Sequence, residues 1–305
     1  MMAVARMATS CRTASPHWRR CAAAVLARRS LSTSVKRINL NADLAEGYGP
    51  WTMTADAELM DIVTSANVAC GGHAGDENIM VAACALAAAR GVSVGSHPGY
   101  ADKPGFGRRV IPMALDEIET LVASQTGALL GVAGLARSRG HDVAVTHCKP
   151  HGALNNVACV DADVAAAIAR AVRAVDPGLI MLAPAASELL KAAEDAGLAT
   201  ASEVFADRAY MADGTLAPRA MAGSVIHDAD AAIEHALRLA SGAPVKAFDT
   251  GEDVVLRADS ICVHGDKPSA VAQARGVRDA LLAEGFVLCT LPELVAENKG
   301  GLGRL

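Results

Sequence analysis

Aromatic residues are scarce in this chain: Trp, Tyr and Phe together number nine among 305 residues. A hydrophobic content of 52% must therefore build its core mainly from Ala, Val, Leu and Ile. The eight cysteines are dispersed and form no Cys-x-x-Cys pair, which argues against a disulfide scaffold and favours a reducing compartment. No apolar run reaches the roughly 18 uncharged residues that a membrane-spanning helix needs. We therefore expect a protein that acts away from membranes.

Acidic residues are absent from the first 36 positions, which hold seven basic residues and several Ser and Thr. This composition is typical of an organelle transit peptide. We predict a disordered or weakly helical leader over 1–36 and one domain over 37–305, because no linker rich in Pro, Gly or Ser divides the rest. A genuine leader predicts a mitochondrial matrix protein. The alternative is an upstream stretch included by a wrong start codon, which predicts a cytoplasmic protein.

The rest of the chain is acidic. Beyond position 36 it carries 21 basic and 33 acidic residues, a formal net charge of −12. Phosphate backbones bind to basic surfaces, so this balance argues against nucleic acid as a partner.

Short β-branched runs alternate with helical patterns along the domain. Alternation of this kind indicates a parallel sheet with right-handed crossovers, and seven repeats favour a closed barrel over an open doubly wound sheet. Asp76 is a good N-cap for a helix over 77–90, and Gly91 is a good C-terminal stop for it. The predicted strands begin at about 38, 64, 92, 142, 179, 199 and 260, and the other predicted helices cover 55–64, 116–139, 161–175, 187–196, 228–240 and 268–284.

Most of these strands end in polar residues that can bind a ligand or move a proton. In a parallel barrel all carboxyl ends of the strands open on one face, so side chains that are distant in sequence meet in one pocket. This pattern makes an enzyme the leading interpretation. The residues concerned include Asp43, Glu46, His73, Asp76, His97, His147, Lys149, His151, His264 and Asp266.

Six motifs at these positions resemble the LamB/YcsF family. They are NADLAEG at 41–47, SANVACGGHAGD at 65–76, GSHPGY at 95–100, GFGRR at 105–109, KPHGAL at 149–154 and VHGD at 263–266. The resemblance covers about residues 37–296. This chain departs from the usual family pattern at Ala45, Glu77, Asn155 and Lys267, where Gly, Pro, Tyr and Thr are common.

The resemblance implies a (β/α)7 barrel similar to the glycoside hydrolase/deacetylase superfamily. It also implies ATP-dependent hydrolysis of 5-oxo-L-proline to L-glutamate. In that reaction the chain would be the A subunit of a multi-subunit 5-oxoprolinase, working with partner subunits B and C and with the cofactors ATP and Mg²⁺.

Chemistry suggests roles for the motif residues. A lactam amide resists hydrolysis, so the reaction needs phosphate-binding groups, acidic groups for Mg²⁺ and a base that directs water. The candidate catalytic residues are Asp43, Glu46, His73, His97 and His151. The candidate phosphate-binding residues are Lys149, Gly71, Gly72, Arg108 and Arg109, and the candidate substrate-binding residues are Asn41, Asn67, Asp76, His264 and Asp266.

Other interpretations stay open. Asp43, His73 and His97 could bind a divalent metal as in barrel deacetylases, although no His-x₃₋₄-His pair supports this. The chain could instead be a non-catalytic subunit that binds the lactam. Gly71 and Gly72 could mark only a turn, and Arg108 and Arg109 could pair with acidic residues of their own loop.

Overall fold

Seven parallel strands form a closed barrel in the computed structural model, which describes residues 35–53, 55–263 and 270–301. Each strand pairs with the next along the chain, and the first pairs with the last, with Asn41 opposite Ser65 on one side and Cys262 on the other. The barrel strands are β1 (Arg37–Leu44), β2 (Ser65–Ala69), β3 (Ser93–His97), β4 (Val145–Cys148), β5 (Ile180–Pro184), β6 (Ala199–Phe205) and β9 (Ser260–Val263). The predicted (β/α)7 barrel is confirmed.

Helices cover the outside of the barrel. As predicted, Asp76 caps a helix of residues 77–90, accepting hydrogen bonds from the N–H groups of Asn78 and Ile79, and Gly91 ends it with φ +66°. The described helices are α1 (Asp56–Met60), α2 (Glu77–Arg90), α3 (Leu115–Ser138), α4 (Gly152–Ala158), α5 (Ala162–Val175), α6 (Glu188–Asp195), α7 (Ala229–Ala240), α8 (Ala270–Ala283) and α9 (Leu291–Gly301).

The barrel interior is polar rather than apolar. Successive side chains of a strand point to opposite faces, so β1 sends Leu40 outward to the helices and Asn39 and Asn41 inward. The Asn39 amide donates to Ser65 Oγ over 2.7 Å, and the Asn41 amide donates to Ser260 Oγ over 2.7 Å. Because each of these buried groups has a partner, the lumen is a hydrogen-bonded network that leads up to the carboxyl ends of the strands.

Several short elements were not predicted. These are α4, α9, a two-residue strand pair β7 (Val245–Lys246) and β8 (Asp253–Val254), and β10 (Val287–Leu288), which pairs beside Arg37 and Ile38 of β1. β4 begins at Val145 rather than at 142, and α1 covers only five residues of the predicted helix at 55–64. Elements this short carry too few residues to show a periodic pattern.

α3 is the single described helix that is long and apolar enough to cross a membrane. It packs between α2 and α5, and Ile118, Val122 and Leu129 on its inner side are buried. The predicted leader lies outside the described residues except for its last two positions, and it stays a prediction.

Candidate active site

A cavity of about 760 Å³ opens at the carboxyl ends of the barrel strands. Asp43 lies at the end of β1, His97 ends β3, Lys149 follows β4 and Phe205 ends β6. All of these residues line the cavity, as the parallel topology predicts. Its other polar lining residues are Glu46, Arg108, His151, Asn155, Asn156, Ser187, Arg208, Asp213, Thr215 and Arg219.

Lys149 forms the charged floor of this cavity. Its ammonium Nζ lies 2.9 Å from Asp43 Oδ1 and 2.8 Å from Glu203 Oε1, and its side chain is 3% exposed. Burial lowers the pKa of Lys149, but the two carboxylates outweigh burial and hold that pKa well above its usual value. Lys149 is therefore a fixed cation at neutral pH and not a base.

Asp43 is held as a carboxylate by its neighbours. Burial raises its pKa, but His97 and Lys149 outweigh this and hold the pKa of Asp43 well below its usual range. The Asn67 amide also donates to Asp43 Oδ1 over 2.8 Å. A carboxylate with so low a pKa is a weak base, so Asp43 is better suited to orient a proton carrier and to stabilise positive charge than to remove a proton.

Glu203 is completely buried under the same lysine. Burial raises its pKa, and Lys149 acts in the opposite direction. Two carboxylates thus share one ammonium in a water-poor environment, where removing either charge partner is costly.

Asn67 and His147 support Asp43 from below. Asn67 Oδ1 lies 3.0 Å from His147 Nε2, and the Asn67 amide donates to Asn41 Oδ1 over 2.7 Å as well as to Asp43. His147, for which the sequence indicated no role, is thus a positioning residue at one remove from the cavity. Burial lowers the pKa of His147 to about 3.

His147 gives the protein a pH-dependent stability. The unfolded chain protonates this residue below its ordinary pKa of about 6.5, whereas the folded protein does not until about pH 3. The unfolded state then binds more protons, so the free energy of unfolding falls as the pH drops below 6.5, by roughly 1 kcal/mol per pH unit. Urea unfolding at several pH values between about 7 and 5 should show a shallower slope for His147→Gln than for the unaltered protein. Equal slopes would contradict this account.

Three imidazoles and a carboxylate form a second buried group, the histidine cluster, beside Asp43. The rings of His73 and His151 stack with centroids 3.6 Å apart, and His97 packs edge-on against both. Glu46 Oε1 lies 3.2 Å from His73 Nε2 and 3.4 Å from His151 Nδ1. Glu46, His97 and His151 line the cavity, and His73 lies behind them.

The metal hypothesis built on Asp43, His73 and His97 is not the arrangement that the structure favours. Asp43 lies 3.3 Å from His97 Nε2, but its other oxygen accepts from Lys149 and Asn67. Among the described residues, the group whose ligand atoms converge contains Glu46 in place of Asp43 and adds His151.

Gly71 and Gly72, predicted as phosphate ligands, lie outside the cavity. They border a separate shallow depression near Gln125. A Cβ at Gly72 would lie 2.5 Å from Gln125 Oε1, and Gly71 has φ +88°. These glycines therefore serve a turn and a close approach to Gln125.

The two arginines of the GFGRR motif have different positions. Arg108 lines the cavity and lies over the Phe106 ring, 5.1 Å from its centroid. Arg109 does not line it: Arg109 Nε donates to Asp102 Oδ2 over 2.9 Å, as the alternative hypothesis of a loop ion pair predicted.

Asp76, predicted to bind substrate, is instead the N-cap of α2 and does not line the cavity. Its second oxygen accepts a hydrogen bond from the Gly49 N–H over 2.8 Å. Asn41 and Asn67 lie directly under the floor, where Asn41 Oδ1 is 3.4 Å from Lys149 Nζ. His264 and Asp266 lie outside the described residues.

Glu203 and Arg208 belong to this site and were missed as candidates. Glu203 interrupts an apolar strand, Ala199–Phe205, and a charged residue within such a run is a signal that could have singled it out. The sequence offered Asp207 and Arg208 as either an ion pair or a pocket rim. The structure places Arg208 in the cavity wall.

A family model described as the LamB/YcsF family matches residues 38–296. This chain belongs to the LamB/YcsF family. A 5-oxoprolinase A subunit from Azoarcus sp. (strain BH72) is 49% identical over 258 residues, which are 85% of this chain and 98% of that relative. The 5-oxoprolinase A subunit from Rhodopseudomonas palustris (strain BisB5) is 52% identical over 250 residues, which are 82% of this chain and 96% of the relative.

The LamB/YcsF barrel also matches a solved structure, a lactam utilization protein from Thermus thermophilus. The two share 41% identity and a TM-score of 0.77, over 84% of this chain and all of the other. The family resemblance predicted from the six motifs is thus confirmed.

Two departures from the usual LamB/YcsF pattern lie at the site. Ala45 has φ +60°, a left-handed conformation that favours the glycine usual there. Asn155, at a position where Tyr is common, lines the cavity between α4 and its wall, so this chain has a smaller side chain facing the ligand.

Proposed function

We propose that this chain is the A subunit of an ATP-dependent 5-oxoprolinase, which hydrolyses 5-oxo-L-proline to L-glutamate with partner subunits B and C. The observation that carries the proposal is the Asp43–Lys149–Glu203 ion network at the floor of a cavity, beside the histidine cluster. The names of relatives that match almost their whole length support the same reaction.

The ion network suits a reaction in which charge develops on an amide oxygen. Preorganised charges in a water-poor site stabilise such a transition state without having to reorganise during the reaction. Lys149 supplies a fixed positive charge, and Asp43 keeps His97 oriented through the 3.3 Å contact to His97 Nε2. His97 and His151 are then the groups that can transfer protons to the opening ring.

The phosphates of ATP fit the rim of the cavity better than its floor. Lys149 already shares its charge between two carboxylates, so a phosphate placed there would face Asp43 as well. Arg108 and Arg219 line the upper wall and are the better candidates. When bound, ATP would supply the phosphoryl group that turns the amide oxygen into a leaving group.

Mg²⁺ fits this cavity only together with the nucleotide. The ion prefers near-octahedral oxygen ligands and is usually bound by one or two carboxylates plus substrate phosphates. Among the described residues, the carboxylates of Asp43, Glu46 and Glu203 are engaged with lysine or imidazole groups and form no oxygen cage. We therefore expect the phosphates to bring Mg²⁺ in.

Arg208 is suited to bind the carboxylate of the substrate. Its side chain is 95% buried in the cavity wall, Nη2 donates to the Ala217 carbonyl, and Nε has no hydrogen-bond partner among the described residues. Burial and the neighbouring Arg219 lower the pKa of Arg208 to about 10, which marks a cation whose charge is poorly balanced. An anionic ligand group would relieve that imbalance.

Replacing Arg208 should therefore remove selectivity for the acid. We expect Arg208→Gln to weaken binding of 5-oxo-L-proline by about 10- to 100-fold, the loss of a charge-assisted hydrogen bond, and to leave binding of 2-pyrrolidinone, which lacks the carboxylate, nearly unchanged. Calorimetric titration of both lactams measures this. Arg109→Gln, outside the cavity, is the matched control. Equal weakening of both lactams, or a raised KM for ATP alone, would reject this role.

The reaction itself is tested by measuring coupled release of ADP and glutamate. The chain is assayed alone and then with candidate B and C subunits, with 5-oxo-L-proline as substrate. Coupled release only in the presence of partners supports the proposal. Binding of the lactam with no effect of Asp43→Asn, His73→Ala and Lys149→Ala on turnover of the complex would show a non-catalytic binding subunit instead.

A further inference from the structure

The histidine cluster brings four potential metal ligands to one point. Glu46, His73, His97 and His151 come from the segments after β1, β2, β3 and β4, and all four are at least 95% buried. One ligand atom from each lies within 4.8 Å of the others. Four such groups, gathered from four segments of chain and screened from water, need a partner that offsets their lone pairs.

The proton positions can be deduced from two backbone contacts. His97 Nδ1 lies 2.7 Å from the Lys149 carbonyl oxygen, and His151 Nε2 lies 2.9 Å from the Phe106 carbonyl oxygen. A carbonyl oxygen only accepts, so both of these ring nitrogens carry hydrogens. In the neutral rings, the other nitrogens, His97 Nε2 and His151 Nδ1, then present lone pairs to one another across 2.9 Å. Two lone pairs at that distance repel unless a cation lies between them.

The carboxylate of Glu46 adds a third acceptor. Its Oε1 lies 3.4 Å from the same His151 Nδ1 and 3.2 Å from His73 Nε2. Ligands about 2.0 Å from a tetrahedral zinc ion are about 3.3 Å from each other, which is close to both separations. A single proton on His97 would resolve its contact with His151 but not the contact between His151 and Glu46. A metal ion satisfies both.

The backbone holds these rings in place. A Cβ at Gly99 would lie 2.8 Å from His73 Nδ1, and a Cβ at Gly107 would lie 2.7 Å from His73 Cβ and 2.9 Å from His151 Cδ2. Only glycine therefore allows the loops to close on the stacked imidazoles. The carbonyls that fix His97 and His151 are the kind of outer partners that orient metal-binding histidines.

We propose that Glu46, His73, His97 and His151 bind a divalent transition metal ion, with Zn²⁺ the first candidate because imidazole-rich sites with one carboxylate suit it. The ion would be accessible from the cavity, since three of its four ligands line it. This goes beyond the proposed reaction, because binding of the ion does not depend on which lactam or nucleotide the cavity receives.

Metal content tests the inference directly. The untagged full chain is stripped with a chelator, loaded separately with Zn²⁺ and Co²⁺, dialysed, and measured by elemental mass spectrometry and, for Co²⁺, by visible absorption. We expect one ion per chain and the absorption bands of tetrahedral Co²⁺. Glu46→Gln and His97→Gln should each lower the affinity by at least about 100-fold, since even outer-shell changes cost 10- to 100-fold. His227→Gln, an exposed histidine, is the matched control.

Two results would overturn the inference. One is an unaltered protein that retains the ions no better than His97→Gln does, with both folded by circular dichroism. The other is bound Co²⁺ whose spectrum is unchanged in Glu46→Gln, in His97→Gln and in a further variant, His73→Gln. Either result would mean that the cluster holds only a proton. Because metal content is measured apart from turnover, stoichiometric metal in a protein inactive on 5-oxoproline would refute the proposed reaction and leave this inference standing.

Discussion

Replacing Lys149 by Met should lower the free energy of unfolding by about 3–5 kcal/mol, the cost of removing one partner of a buried ion pair. Lys149 is 3% exposed and is the cation that lies between Asp43 and Glu203. Without it, two carboxylates face each other in the barrel with no countercharge. Urea unfolding at neutral pH measures the change, and the variant should also be inactive.

A double variant separates charge from packing in this prediction. Lys149→Met with Glu203→Gln removes one positive and one negative charge, so we expect it to recover part of the lost stability but none of the activity. Lys191→Met is the matched control, because Lys191 forms an exposed pair with Glu188 and such pairs contribute about 0–1 kcal/mol. If Lys149→Met is as stable as Lys191→Met, the ion network is not what holds the floor together.

Asp43→Asn should lower kcat by about 100- to 1000-fold, the range seen when one preorganised electrostatic group is removed from a site. The change is nearly isosteric, but an amide no longer balances Lys149 or orients His97 by charge. The KM for the lactam should change little, since Asp43 acts on the developing charge rather than on the ground state. Steady-state kinetics of the complex with its partner subunits measures both constants.

Asp76→Ala is the comparison that tests the site boundary. Asp76 lies in a family motif but caps α2, so its replacement should cost about 1 kcal/mol of stability and leave kcat nearly unchanged. A large fall in kcat for Asp76→Ala with normal folding would extend the active site to that helix end. Retained kcat in Asp43→Asn would remove Asp43 from the catalytic machinery.

The fold was largely predictable because local signals agreed with it. β6 and β9 were predicted with their observed bounds, Ala199–Phe205 and Ser260–Val263, since each is a short apolar run bounded by polar residues. Asp76 and Asp161 marked the starts of α2 and α5, where each accepts hydrogen bonds from backbone N–H groups of the first turn. The convergence of Asp43, His97 and Lys149 followed from topology alone, because parallel strands share one open end.

The finer assignments depended on side-chain directions that sequence does not contain. Gly71 and Gly72 follow a strand in the way phosphate-binding glycines do, yet the turn points them at Gln125 rather than into the cavity. Arg108 and Arg109 are neighbours, and only the loop conformation decides which one faces the ligand. Glu203 acquires its role from Lys149, 54 positions away in sequence, through a contact that no local pattern encodes.

The pairing of the first barrel strand with the last has a consequence for biosynthesis. β1 cannot acquire its second neighbour until Ser260–Val263 has left the ribosome, more than 200 residues after β1 itself. Until then a nascent chain exposes an unpaired strand edge, and the polar lumen remains open to water. Contacts so distant in sequence form slowly, so newly made chains should depend on chaperones late, at the moment of ring closure, rather than while the early repeats emerge.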